Sequence, residues 1–153
     1  MPKELPSALE AEASLLGTMM VYPGSARLAI EEGLQPDDFF SEANKDIFVV
    51  CRELFQEGTV VDITSVSTRL QDKNLLDRVG KQEYLTKLLD ASVTSYNTKH
   101  YVNLIRDKAL MRKMIEVSQR IAEEGLEGQP SVDEYLDAAE KHVLEVSHNR
   151  RAG

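Results

Sequence analysis

A chain of 153 residues, 42% of them apolar, is long enough to enclose one ordinary hydrophobic core. With 29% charged residues, a net charge of −8 and a pI near 4.9, it is an acidic protein, which argues against a face built mainly to neutralise phosphates. The longest apolar run, Ile47 to Cys51, is far too short for a membrane span, and Met1-Pro2-Lys3-Glu4 lacks the apolar stretch of a signal peptide, so the expected location is cytoplasmic with no membrane partner.

Helical periodicity recurs along the chain while strand-like alternation is missing, so the fold class is all-α. The pattern predicts a compact helical head of about five to six helices followed by an antiparallel helical hairpin. Ser7 with Glu10 reads as a capping box, after which Leu9, Ala13, Leu16 and Met20 line one face of a first helix. Tyr22-Pro23-Gly24 ends it and opens a short helix through Ala29 and Ile30, stopped at Gly33. Leu34 to Phe40 reads as a turn that drops both Phe39 and Phe40 into the core. A third helix runs from Ser41 to Gly58 with Ile47, Val50, Cys51 and Leu54 inward, and Cys51 in that setting is a small apolar residue suited to a reducing compartment. Asp62 caps a fourth helix carrying Ile63, Val66 and Leu70, and a fifth spans Tyr84 to Leu89.

From Tyr96 the pattern runs without a breaker to Glu124, and its apolar face rotates between Tyr101-Leu104-Ile105-Ala109 and the stretch beyond. Gly125 to Pro130 forms a connection, and Ser131 with Glu134 reads as a second capping box opening the last helix. At 100° per residue, Leu110, Met111, Met114, Ile115, Val117, Ile121 and Ala122 cover an arc of about 160°. Val132, Tyr135, Leu136, Ala139, Val143 and Val146 cover only about 100° by the same projection. One narrow stripe cannot bury one wide stripe, so a further surface must cover the excess. That surface is either the rest of this chain or another copy of it; in the second case the expected subunit or partner interface is Leu110, Met111, Met114, Val117, Ile121, Tyr135 and Val143. Within it, Leu110, Met114, Val117 and Ile121 are assigned to the partner, with Met111, Ile115 and Ala122 facing the second helix.

Catalytic chemistry has no foothold. Gly80-Lys81 lacks the phosphate-loop spacing, because Leu75 stands where a glycine is required and Gln82 where Ser or Thr would hold magnesium. Glu145 and His148 form one Glu-x-x-His without the second pair a di-iron site needs, since Asn97 and Ala139 precede His100 and His142 at that spacing. No histidine is brought to Cys51, and the basic cluster His148-Asn149-Arg150-Arg151 reads as a solvated tail. No catalytic, cofactor-binding or metal-ligating residue is assigned.

The order of segments resembles a known family. Leu9-Glu10-Ala11-Glu12-Ala13-Ser14-Leu15-Leu16-Gly17 is similar to the opening of the N-terminal domain of bacterial replicative DNA helicases, the DnaB family. Asp37-Asp38-Phe39-Phe40, Asp46-Ile47-Phe48 with Leu54 and Gly58, Val61-Asp62 before Leu70, Leu75-Leu76 with Val79-Gly80 and Tyr84-Leu85, then Asn97, Tyr101, Ile105-Arg106-Asp107-Lys108 and Arg112, follow in register. Two departures stand out: Lys81 replaces a second glycine, and Ser95-Tyr96 replace two alanines. The resemblance implies a head at residues 5–100, an oligomerisation hairpin at 101–147, and at 148–153 the start of a linker to a RecA-like motor domain absent from this sequence. It implies hairpins pairing between subunits as dimers, a trimer of dimers or a hexamer, and contact with the C-terminal domain of primase and with a helicase loader. It also implies weak or no direct DNA contact, no enzymatic activity in this fragment, and ATP and magnesium confined to the motor. A helicase-binding primase domain, a stand-alone helical adapter and a small metal-dependent helical enzyme on Glu145 and His148 are the competing readings.

Overall fold

The computed structural model describes residues 4–152. Leu9–Val21 forms α1, in which the six consecutive residues Leu15, Leu16, Gly17, Thr18, Met19 and Met20 are all buried and leave no face for water over that stretch. Pro23–Glu31 (α2), Glu42–Gln56 (α3) and Lys81–Asp90 (α6) pack about it, making α1 the centre of the head. Ile63–Asp72 (α4) and the single turn Leu76–Val79 (α5) close the far side of α3. Among the described residues there are no strands.

Local signals explain most boundaries. Pro23 opens α2 at its first turn, where its missing N–H costs nothing. The Ser41 hydroxyl caps α3 by accepting from Asn44 N (3.2 Å), and Asp62 caps α4 by accepting from Ser65 N (2.8 Å). The expected Ser7-Glu10 box does not form: the cap position falls on Ala8, which has no side-chain acceptor. The helix is fixed instead by long-range contacts of Glu12, described below. Leu9 is consequently exposed rather than inward, and of the two aromatics expected in the core, Phe39 is buried against Phe48 while Phe40 faces outward. The helix expected as the fifth is the sixth, because the turn α5 precedes it and buries Val79.

Between α5 and α6 the backbone turns through two successive left-handed residues, Gly80 (φ 112°) and Lys81 (φ 64°). A Cβ in that region carries a steric penalty of about 1 kcal/mol, so a glycine at position 81, as the resemblance implies, would take this backbone more easily than Lys81 does. Lys81→Gly is expected to raise the urea midpoint, by about 0.5–1 kcal/mol in unfolding free energy. An unchanged or lower midpoint would remove strain from the account of this turn.

The carboxylate of Glu12 is almost fully buried yet completely engaged. It accepts from Phe40 N (2.8 Å), Ser41 N (3.3 Å) and Asn44 Nδ2 (2.9 Å), so it binds the chain just where α3 begins and where the helix dipole favours negative charge. Asn44 passes the network on, its Oδ1 accepting from the Tyr84 hydroxyl of α6 (2.5 Å). Burial, reinforced by the Glu12 charge, holds the Tyr84 phenol above its ordinary range. Cys51 is likewise buried, and desolvation pushes its thiol up to about 12, so it stays protonated and acts as an apolar side chain.

Thr98–Glu127 forms α7, after a short 3-10 turn at Ser95–Asn97. Its start is tied to α2 by a hydrogen bond between the Ser25 and Thr98 hydroxyls (2.8 Å), by an ion pair from Lys99 to Glu32 (3.7 Å) and by Arg106 donating to the Glu32 carbonyl. Two compact units result among the described residues: Ser7–Lys108, and residues 109–152 with residues 4–6. The head therefore extends past residue 100, because Val102 and Ile105 are part of its core.

Candidate functional site

The hairpin of the second unit is built from the end of α7 and from Val132–Ala152 (α8). Its connection is tighter than the sequence suggests, since α7 continues through Gly125, Leu126 and Glu127 and only residues 128–131 turn. Gly128 takes a positive φ of 86°, Gln129 Nε2 donates to Glu124 O (2.8 Å), and Ser131 Oγ caps α8 by accepting from Glu134 N (3.0 Å). The Tyr135 hydroxyl then donates to Ile121 O, its ring lying against Gly125, where any Cβ would meet the phenol oxygen at 2.5 Å. Further along, His142 approaches Glu124 at 3.9 Å, and Leu110, Met111 and Met114 meet Val146 and Ser147 around a cleft of about 210 Å³.

These contacts reverse the expected division of the wide stripe. Val117 and Val146 are buried, and Leu110, Met114, Ile121 and Tyr135 are half-buried, so this edge is spent on α7 meeting α8 inside one chain. Met111, at the rim of the cleft it shares with Val146, is still 51% exposed, and Ala122 is exposed, with Ile115 half-buried between them. On α8, Val132 (72%), Leu136 (50%) and Val143 (38%) also face outward. The helical projection could not assign the edges because both are equally apolar.

The two bare edges lie together. At 100° per residue, Met111, Ile115 and Ala122 stand about 110° from the direction of Leu110, Met114, Val117 and Ile121. Val132, Leu136 and Val143 stand about 60° from that of Tyr135, Ala139 and Val146, in the same rotational sense. For antiparallel helices an equal sense of offset points to the same side of the pair. The hairpin thus presents one continuous apolar face beside its internal seam, of the kind that marks a protein-binding surface.

The opposite side of α8 is mostly polar, with Leu144 as an exposed apolar residue within it. Glu145 and His148 sit there among Asp137, Glu140 and Lys141, and among the described residues no three His, Cys, Asp or Glu side chains gather as a metal site would need. The Arg150 and Arg151 side chains of the basic cluster, Gly153 of the expected linker and Met1 to Lys3 lie outside the described residues. Among the described residues, no helix is long and apolar enough to cross a membrane. Gly80-Lys81 forms the strained turn before α6, with Tyr84 packed against Gly80.

Sequence reasoning missed two residues on which the head depends. Glu12 enters the sequence reading only as part of the opening motif, with no role of its own, although its position among Ala11, Leu15 and Leu16 was a clue. Gly17 is likewise named there only as the end of that motif, yet it lies directly against the backbone of α6 at Leu88.

The family model for the DnaB-like helicase N terminal domain matches residues 4–107. The chain is 30% identical over 148 residues to the replicative DNA helicase DnaB of Geobacillus stearothermophilus, covering 97% of this chain and 32% of that protein. It is 33% identical over 150 residues to the replicative DNA helicase DnaB of Pasteurella multocida (strain Pm70), covering 95% of this chain and 31% of that protein. It thus spans about a third of the length of the curated relatives it matches. The crystal structure of the N-terminal domain of DnaB helicase from Mycobacterium tuberculosis superposes with a TM-score of 0.84 at 27% identity, covering 93% of this chain and 99% of that one. A DnaB-like replicative helicase, solved in a study of its interactions with primase, shares the fold with a TM-score of 0.72 at 24% identity over 91% of this chain and 31% of that one. With the ordered motifs, the central α1 and the match across the whole head, the chain belongs to the DnaB-like helicase N-terminal domain family.

Proposed function

We propose that this chain is the N-terminal collar of a hexameric replicative helicase, that its hairpins pair between subunits, and that the assembled collar receives the helicase-binding domain of primase. The observation that carries the reading is the bare apolar face of Met111, Ile115, Ala122, Val132, Leu136 and Val143, which one chain leaves uncovered. Support for the primase partner comes from the related helicase solved for its interactions with primase. On this reading a helicase loader is a further partner, DNA is touched weakly or not at all by these residues, and ATP with magnesium belongs to a separate motor segment.

Light scattering at micromolar concentration should show dimers or larger species, and Leu136→Asp should give monomers with unchanged helicity. An unpaired carboxylate buried in such a contact costs about 3 kcal/mol or more, equivalent to a loss of at least a hundredfold in association. Met114→Asp, on the edge facing α8, should instead loosen the hairpin itself and lower helicity. A strictly monomeric native chain that also gives no calorimetric signal with a primase C-terminal domain would overturn the proposal.

A further inference from the structure

The head carries a second uncommitted surface, an apolar groove of about 340 Å³ lined by Pro23, Ala26 and Arg27 of α2, Phe55 of α3, and Val60 and Val61 of the loop before α4. Val60 is 63% exposed at the edge of this groove and extends its apolar lining outward. The stretch around it is non-helical: Thr59 N bonds back to Leu54 O (2.9 Å), but the N–H and C=O of Val60 find no partner among the described residues. An open donor and acceptor beside an apolar groove offers an extended peptide one backbone pairing next to a pocket for a side chain, the two elements that peptide capture at a sheet edge combines.

Charge restricts the occupant further. Arg27 is the single charged side chain in the lining, and its guanidinium is braced 5.6 Å from the centre of the Phe55 ring. It also meets Glu31 at 3.6 Å, but both side chains are largely exposed, so that pair is weak and open to competition. On a chain of net charge −8, one braced cation favours one carboxylate, while the surrounding field disfavours a long acidic tract.

The geometry points to a docking site for an extended peptide segment of a partner protein, whose apolar side chain fills the groove, whose single carboxylate meets Arg27 and whose backbone pairs with Val60. This site is independent of the hairpin, and its failure would leave the assembly reading untouched. The probe is a random heptapeptide display library panned on the native chain, followed by fluorescence anisotropy of the enriched peptide carrying a fluorescein label. Enrichment of apolar sequences with one Asp or Glu is expected, together with slowed exchange of the Val60 amide when the peptide is added. Arg27→Gln should weaken binding about tenfold and abolish the difference between the peptide and its amide analogue. Val60→Pro, which removes the N–H, should weaken it by a similar factor, while Val60→Thr retains it; both positions are exposed, so unchanged melting curves confirm folding. Absence of enrichment, equal binding to Arg27→Gln and Val60→Pro, or a groove that closes by self-association and is opened by Val60→Asp would each overturn the assignment.

Discussion

Gly17→Ala is expected to destabilise the head by about 2–3 kcal/mol, although alanine is the better helix former by about 1 kcal/mol. A Cβ at this position would overlap Leu88 O and stand 2.8 Å from Leu88 C and 3.2 Å from Ser92 N. These are backbone atoms at the end of α6, and no rotamer change can move them aside. α1 and α6 would have to separate, uncovering Leu85 and Leu88, both fully buried. The penalty for opening a packed core exceeds the propensity gain, so the urea midpoint should fall with little change in helicity. A midpoint at or above the native value would mean that the two helices slide apart freely and that their close approach is incidental.

Glu12→Ala is the second large effect, at about 3–4 kcal/mol, because three donors lose their acceptor at once in a buried site. Phe40 N, Ser41 N and Asn44 Nδ2 would be left without it, and the Asn44 side chain that accepts from Tyr84 would lose its anchor. Glu12→Gln should cost roughly half as much, since one carbonyl oxygen is retained while the amide nitrogen confronts donors. Glu12→Leu separates hydrogen bonding from volume: if it proved as stable as the native chain, the carboxylate would be a tolerated burial rather than the anchor of α3.

Much of this architecture was legible. Pro23, Ser41, Asp62 and Ser131 each mark a helix start through chemistry confined to a few residues, and each start stands where that chemistry placed it. Errors arose where distant contacts overrode local signals. Ser7 with Glu10 satisfies a capping rule on paper, but α1 takes its position from Glu12, which acts on residues 28 to 32 positions away. Phe40 follows Phe39 in an extended link, and two adjacent side chains there cannot both face one core. Stripe width likewise showed that the hairpin has apolar surface to spare, while the choice of edge rested on how Tyr135 and Val146 seat against α7. Lys81 was visible as a departure from family pattern, whereas its left-handed backbone was not.

The hairpin's shortage of enclosed side chains bears on how it behaves when alone. Among the described residues from Ala109 onward, only Val117 and Val146 are buried apolar groups, against more than a score in the head. Local opening free energy follows enclosed contact, so in an isolated chain α8 sits near the bottom of the molecule's stability range and its amides exchange long before those of α1. A second chain seated on the bare face would then do more than hold subunits together. It would supply the missing half of a core, so that helices already formed in the single chain would resist local opening more strongly as protein concentration rises.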